Sequence, residues 1–394
     1  MKLFSQSSRA VLLAIASMLG LLLQLTIVYV WANEATVELY ATFLSITASI
    51  NLVGALNKPA LNTLAERYGA WGDYSRLKKI LILKVTFAIW LLPLFSMVLL
   101  FTNEFDIRFL FLSILAFIAS SAKGVLLSYC IGLQKIIFYI FVFLTPQITL
   151  LTIVFLYTDY LTITQLPSAI IIINLLPFIL FAKILWRTET KELSLEDNVF
   201  ENSVSKSFSM NIVLKADKLI IRYLLGDVAV VSYQICISCM QVFAAIQNFI
   251  VKALTHQIVA YEKIQKKIIT SFMKISFSYY LCTFLILWIA NQYWGNVFQI
   301  FFQEYKSISI TAFLFSAVSI ISLPAGLYFN FSRLRGDLKT VNLYTYLNIG
   351  AKLFGLVTCS TFGLNGIALS FLLSTALTSI LVYFSNANDK RCIL

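Results

Sequence analysis

Apolar residues lie along the chain in long blocks separated by short charged patches, the pattern of a polypeptide solvated by lipid for most of its length. Reading for stretches of about 20 apolar residues predicts twelve spans. They run roughly over 10–31, 39–58, 80–101, 109–130, 136–157, 168–186, 208–227, 229–251, 275–293, 308–330, 341–361 and 366–385. Connections are all short, so there is no room for a separate soluble domain. The first block follows Lys2 and Arg9 in the manner of a signal peptide. Its length of about 22 residues exceeds a signal core of about 7–15, and it is read as a retained helix. The polar, acid-rich segment 187–207 divides the spans six and six. The fold class expected is therefore an all-α polytopic membrane protein with about twelve transmembrane helices in two six-helix bundles, 1–186 and 208–394, joined by a cytoplasmic linker. Two bundles of one orientation would be related by an axis along the membrane normal.

Composition sharpens this picture. Of 394 residues, 60% are hydrophobic and 12% charged, against about a quarter charged in an average soluble domain. So few charges cannot cover a soluble surface, which excludes a soluble enzyme, a disordered chain and a disulfide-stapled secreted domain. The single histidine, His256, leaves paired-His zinc sites and Ser-His-Asp triads without their parts. The six cysteines sit mostly inside apolar blocks with no metal or disulfide spacing. No cofactor, metal or enzymatic activity is expected.

The net charge of +12 matters through its location, and no nucleic-acid partner is inferred from it. With the N-terminus inside, inward connections and tails hold twenty of the thirty Lys and Arg, the spans hold eight, and outward connections hold only Arg108 and Lys306. This asymmetry is the positive-inside distribution and places both termini in the cytoplasm. Trp31, Trp186 and Trp294 fall at span ends, where an indole sits at headgroup level.

The block 208–227 carries Lys215, Asp217, Lys218, Arg222 and Asp227, and each central charge facing lipid costs about 2.5–3.5 kcal/mol. A surface-lying helix would avoid that cost. It would also invert everything downstream and put the five-lysine connection 252–274 outside. A true crossing is therefore preferred, with its charges facing protein or water. Lys215, Lys218 and Arg222, at i, i+3 and i+7, share one helical face, while Asp217 points away as a counter-ion or an ion-coupling group. The next span offers Gln234, Ser238, Gln241, Ala245 and Asn248 as one polar and small stripe. Together these are expected to wall a wet cavity, with Lys352 and Lys123 adding cations. Lys58, Lys84 and Lys183, near cytoplasmic ends, are read as snorkelling. Pro93, Pro146, Pro177 and Pro324 are candidate helix breaks, and Ser370, Ser374 and Thr378 are close-packing residues between helices.

Three segments carry a family likeness. Lys215-Ala-Asp217-Lys218 with Leu225-Gly226 and Tyr233 resembles the seventh-to-eighth helix signature of polysaccharide exporters in the multidrug/oligosaccharidyl-lipid/polysaccharide superfamily. Phe362-Gly363-Leu-Asn365-Gly366-Ile-Ala368 is similar to the glycine-rich hairpin before their last helix. Glu38-Leu-Tyr40-Ala41-Thr-Phe43 is similar to their motif after helix one, with Ala41 in place of Gly. The resemblance implies a MATE-like fold and a Wzx-type O-antigen flippase of the bacterial inner membrane. Such a protein moves an undecaprenyl-diphosphate-linked oligosaccharide from the cytoplasmic to the periplasmic leaflet by alternating access, in company with membrane lipid and other polysaccharide-assembly proteins. Lys215, Lys218, Arg222, Lys352 and Lys123 would then face the diphosphate, and Gln234, Gln241 and Asn248 the sugar hydroxyls. Two alternatives stand beside it: a cation-coupled drug or metabolite exporter of the same fold, and a membrane glycosyltransferase or polysaccharide polymerase using Glu34 and Glu38.

Overall fold

A computed structural model describes residues 2–57, 60–100, 106–132, 136–157, 160–193, 215–241 and 338–388, with 310–319 and scattered positions between 278 and 322. The described elements are helical, and the chain forms two compact units, Met1–Val231 and Ser232–Leu394. Of the expected linker 187–207, residues 187–193 are described.

In the first unit, α1 (Lys2–Glu34) is followed by α2 (Val37–Leu56). The Thr36 hydroxyl starts α2 by accepting the Leu39 N–H at 3.3 Å. Then come α3 (Ala60–Ala70) and α4 (Tyr74–Trp90), joined through Gly72 at φ 67°, a left-handed turn that glycine adopts without a Cβ penalty. Asp73 caps α4 by accepting the Arg76 N–H at 3.1 Å. The expected span 80–101 is broken: α5 (Leu92–Leu100) leaves α4 at 51°. Pro93, in the first turn of α5, is the residue that cannot continue the preceding ladder. α6 (Ile107–Gly132) and α7 (Ile136–Tyr157) follow, with Pro146 inside α7. The expected span 168–186 is likewise divided, into α8 (Leu166–Leu175) and α9 (Ile179–Arg187), with a 3₁₀ turn at Pro177 between them. α10 (Asp217–Leu225) ends at Gly226, φ 84°, and α11 spans 227–241, its residues from Ser232 onward belonging to the second unit.

α6 is the hub of this unit, packed against α2, α3, α4, α7 and α8. Its small residues Ala116, Ala119, Ser120, Ser121 and Ala122 let neighbouring helices approach closely. At one end of the unit, Leu61, Leu64, Tyr68, Leu77, Tyr129 and Phe181 form a buried cluster.

The second unit contains α12 (Ile310–Ser319), α13 (Leu338–Thr358) and α14 (Gly363–Asn388). α13 and α14 fold back on each other as a hairpin. The glycine-rich motif makes the turn. Gly363 has φ 66°, and a Cβ on Gly366 would lie 2.5 Å from the Cys359 carbonyl oxygen. Further along, Gly355 meets Ser370, where a Cβ would come within 2.5 Å of the Ser370 Cβ. Ser370 thus acts in close helix packing, as expected.

Burial on α14 is reversed from that of a soluble helix. Leu369, Leu373, Leu377 and Ile380 are exposed, whereas Ser374, Thr375, Thr378 and Ser379 are buried. The hydroxyls of Ser374, Thr378 and Ser379 find carbonyls inside, as in Thr378 to Ser374 at 2.9 Å, while the leucines suit a hydrocarbon solvent. Among the described residues, Val37–Leu56, Ile107–Cys130 and Phe138–Leu156 are long and apolar enough to cross a membrane, the apolar stretch Tyr346–Leu381 is divided by the turn between α13 and α14, and the bent α4–α5 pair adds one more. The expected count of twelve is not reached among the described residues. The expected span 275–293 lies largely outside them, and 229–251 and 308–330 are described only in part.

Candidate functional site

The seventh predicted span contributes only residues 215–227 to the described structure. Lys215 precedes α10 and is exposed, and Lys218 is half-buried. The Asp217 carboxylate accepts the Lys218 N–H at 2.7 Å, a favourable place for an anion at a helix start. Arg222 is held in tight contacts. Its Nε donates to Asp227 Oδ1 at 2.7 Å, Nη1 to Ser45 Oγ at 2.7 Å, and Nη2 to Thr42 Oγ1 at 3.4 Å. The side chain is 13% exposed. The guanidinium therefore bridges the Gly226 turn and fastens it to α2. Its shared face with Lys215 and Lys218 predicts a wet cavity beside it; its described contacts are with Asp227, Ser45 and Thr42. This fastening joins two of the segments that carry the family likeness, since Thr42 lies in the motif at the start of α2.

In the same motif, Tyr40 and Phe43 stack on Trp31, with ring centroids 5.2 and 4.8 Å away. Trp31 is 1% exposed, so its indole is a packing element and does not sit at headgroup level. Trp186 is exposed, and Trp294 lies outside the described residues. Lys84 also departs from expectation. It is 3% exposed and does not snorkel. Its ammonium donates to the carbonyl of Asn57, the C-cap of α2, and Asn57 Nδ2 returns a bond to the Lys84 carbonyl at 3.2 Å. A cation at a helix C-terminus meets both the unsatisfied carbonyls and the negative end of the dipole. Lys58 and the Lys183 side chain lie outside the described residues.

Lys123 has a different setting. It lines an open cavity of about 240 Å³ between four helices of the first unit. The polar lining is Thr47 and Asn51 from α2, Ser120 and Lys123 from α6, Gln147 from α7 and Asn174 from α8. Each set follows helical spacing, so one face of each helix turns inward. Phe43, Ile50, Leu150, Ile170 and Ile173 supply apolar wall, and Pro146, beside Gln147, removes a backbone N–H from α7 at this level. No carboxylate lines the cavity among the described residues. Lys123 makes no ion pair or hydrogen bond with other described residues. The Gln147 Oε1 atom is buried without a hydrogen-bond partner among them. The Asn174 amide N–H₂ and the Thr47 hydroxyl donate to carbonyls of their own helices, at 2.9 Å to Ile170 and 2.9 Å to Phe43. Each therefore offers an oxygen as acceptor. The site thus combines one ammonium with several acceptor oxygens.

The sequence reading named Lys123 and overlooked Asn51, Gln147 and Asn174. The available signal was an uncharged amide inside each of three apolar spans.

In the second unit, Gln234 and Ser238 are buried and bonded to each other, Gln234 Nε2 to Ser238 Oγ at 3.0 Å. Tyr233 packs edge-on to Phe315, and Phe315 to Phe371. The Lys352 ammonium lies 5.6 Å from the centroid of the Phe371 ring, a cation–π arrangement. Gln241 is half-buried, and Asn248 lies outside the described residues. Lys123 and the Lys215, Lys218 and Arg222 group occupy separate surroundings within the first unit.

An all-α fold in two units with buried polar faces and apolar exteriors defines a multi-pass membrane protein. Among solved structures, the chain is similar to an inward-facing multidrug resistance MATE family transporter of the MOP superfamily. The identity is 13%, with 95% of this chain and 97% of that one covered and a TM-score of 0.65. It is also similar to an outward-facing transporter described in the same terms, at 14% identity, 96% and 94% coverage and TM-score 0.57. A mutant of the Vibrio cholerae MATE transporter VcmN matches at 12% identity, 98% of each chain and TM-score 0.59. The chain therefore has the MATE transporter fold. No protein-family model and no curated protein matches the sequence.

Proposed function

We propose that this protein is a flippase for a lipid-linked oligosaccharide, moving an undecaprenyl-diphosphate-linked repeat unit from the cytoplasmic to the periplasmic leaflet of a bacterial inner membrane. The observation that carries the reading is the cavity in the first unit, which among the described residues holds one ammonium, three amides and no carboxylate. Stripping a sugar hydroxyl of water without a partner costs about 2–7 kcal/mol, and an isolated phosphate charge far more. A polar, cationic interior replaces that lost solvation, while a prenyl tail stays in the bilayer. Lys123 is the cation placed for this work. Lys215 and Lys218 remain candidates along the path, and Arg222 serves to hold the α10–α11 turn.

A drug-exporter reading is supported equally by the structural likeness, since the similar proteins include multidrug transporters. The cavity chemistry is what favours the flippase reading: a cationic drug or a coupling cation calls for a carboxylate, and none lines this cavity among the described residues. The test is reconstitution of the purified protein into vesicles carrying fluorescent lipid-linked oligosaccharide in one leaflet. Protein-dependent appearance of the sugar in the other leaflet, read by lectin capture, is the expected outcome. No translocation together with active export of a cationic dye would overturn the assignment.

A further inference from the structure

A transporter needs parts that move, and the fastening of α10 to α2 has the features of one. We infer that it is a releasable clasp: the elbow formed by α10, Gly226 and the start of α11 lifts from α2 as one piece, and the hydroxyl face of α2 that it uncovers takes up water. The purpose of such a clasp rests on the transport reading; its mechanism rests on the contacts alone.

The charges are arranged for release. Arg222 and Asp227 lie on either side of Gly226 and pair at 2.7 Å, so the ion pair is internal to the elbow. The described contacts that reach across to α2 are neutral, Ser45 Oγ at 2.7 Å and Thr42 Oγ1 at 3.4 Å. Separating a buried ion pair leaves uncompensated charges, whereas losing hydrogen bonds to hydroxyls costs much less. When the elbow lifts, the guanidinium leaves together with its counter-ion.

The surfaces are arranged in the same sense. Thr42 and Ser45 belong to a buried face of α2 made of small residues, with Ala41, Ala48 and Ser49 at matching helical positions. Phe43, Thr47 and Ile50, which line the cavity, lie on a different face. On α10, only Leu219 and Ile221 are buried, while Tyr223 and Leu224 are exposed. Small hydroxylated side chains against a nine-residue helix remove little apolar area from solvent. The seam therefore depends on its polar contacts.

Ser49 shows what the uncovered face gains. One turn along from Ser45, it is fully buried, and its Oγ has no hydrogen-bond partner among the described residues. Buried polar atoms are normally paired with protein or water. A hydroxyl left unpaired while the clasp is shut is satisfied by water once it opens, which offsets part of the cost of opening. Gly226 gives the elbow its shape: φ is 84°, and a Cβ there would meet nothing within 4 Å. The glycine serves the backbone turn and not close packing. On the expected topology this end of α2 lies on the outer side, and the clasp holds that side shut.

The experiment uses the full chain in lipid nanodiscs, in a background lacking the six native cysteines, with each variant first shown to be folded by its own unfolding transition. Ser49→Cys is treated with a charged, water-soluble thiosulfonate, and its rate of modification is read by mass spectrometry. Ser113→Cys, at a buried position of α6, is the reference. Adding Arg222→Met is expected to raise the rate at position 49 about tenfold or more and to leave position 113 unchanged. An unchanged rate at 49 overturns the clasp, and so does an equal rise at 113, which marks general loosening of a structural contact. In a second arm, Ser45→Cys and Arg222→Cys are joined by a reducible bifunctional thiosulfonate about as long as the arginine side chain it replaces. Joining is expected to lower translocation in the vesicle assay about tenfold or more, with recovery on reduction. Translocation indifferent to joining overturns the clasp and leaves the transport reading standing. Absence of translocation in the wild type and every variant defeats the transport reading, and the labelling arm still decides the clasp.

Discussion

The placement of Arg222 yields a quantitative test, because a structural clamp and a substrate contact fail in different ways. Replacement with Met keeps the length of the side chain and removes its donors. Asp227 then loses its partner at 2.7 Å, and the buried Ser45 and Thr42 hydroxyls lose a charged donor. A hydrogen bond to a charged group contributes about 1.5–3 kcal/mol, and breaking a fully buried pair costs about 3–5 kcal/mol. Asp227 is 33% exposed, so water recovers part of its loss and the upper limit does not apply. The expected cost is about 2–4 kcal/mol, a fall in Tm of roughly 4–16 °C for a unit of this size. Thermal unfolding of the purified protein measures it. Asp227→Asn in the Arg222→Met background is expected to add less than half of what it costs alone, since the partners act as a unit. A variant that unfolds within about 1 °C of wild type yet no longer transports would refute the clamp and return Arg222 to the substrate path.

Other expectations follow from the same geometry. Gly366→Ala forces a Cβ against the Cys359 carbonyl and Phe362 and is expected to cost about 1–3 kcal/mol. Gly363→Ala meets open space but a strained φ, and is expected to cost about 1 kcal/mol; urea titration of the two variants ranks them. Lys84→Met leaves the Asn57 carbonyl without its ammonium, and a loss of about 1–2 kcal/mol is expected, where a snorkelling lysine would give no change in the same assay. Residue 192 tests orientation. Glu192 pairs with Lys79 at 2.7 Å but remains exposed. A cysteine there, in a background lacking the native six, is expected to react with an impermeant thiol reagent only in inverted vesicles. Labelling of intact cells would reverse the topology.

The helices were legible in the sequence because lipid enforces a simple rule: backbone polar groups pair within the segment, and the residues around them are apolar over a fixed length. The glycine-rich turn at 362–368 and the helix packing at Ser370 were legible for a related reason, since few residue types satisfy a left-handed φ or a close backbone approach. The breaks at Pro93 and Pro177 were legible as candidates, though not the 51° bend at the first. Trp31 was misread because a position at a span end does not reveal that Tyr40 and Phe43, on the next helix, cover it.

One buried and two partly buried basic residues show why the site itself was harder to read. Desolvation requires that Lys84, Lys123 and Arg222 each meet something polar, and this much follows from their positions in apolar spans. What they meet is set by other segments: a helix-end carbonyl 27 residues away for Lys84, a hydroxyl 177 residues away for Arg222, and an open cavity for Lys123. Nothing local distinguishes the three. Lys218 and Arg222 lie one turn apart on α10 while Lys215 precedes the helix, and a shared face is not a shared environment once a neighbouring helix covers part of it. The amides escaped notice for the complementary reason. Asn51, Gln147 and Asn174 weaken an apolar stretch far less than a charge does, so hydropathy passes over them, and each is alone in its own helix. Their meaning appears only when α2, α7 and α8 bring them around the same ammonium. A search for isolated uncharged amides within apolar spans, followed by asking which cation they converge on, would have pointed to Lys123 ahead of the more conspicuous stripe.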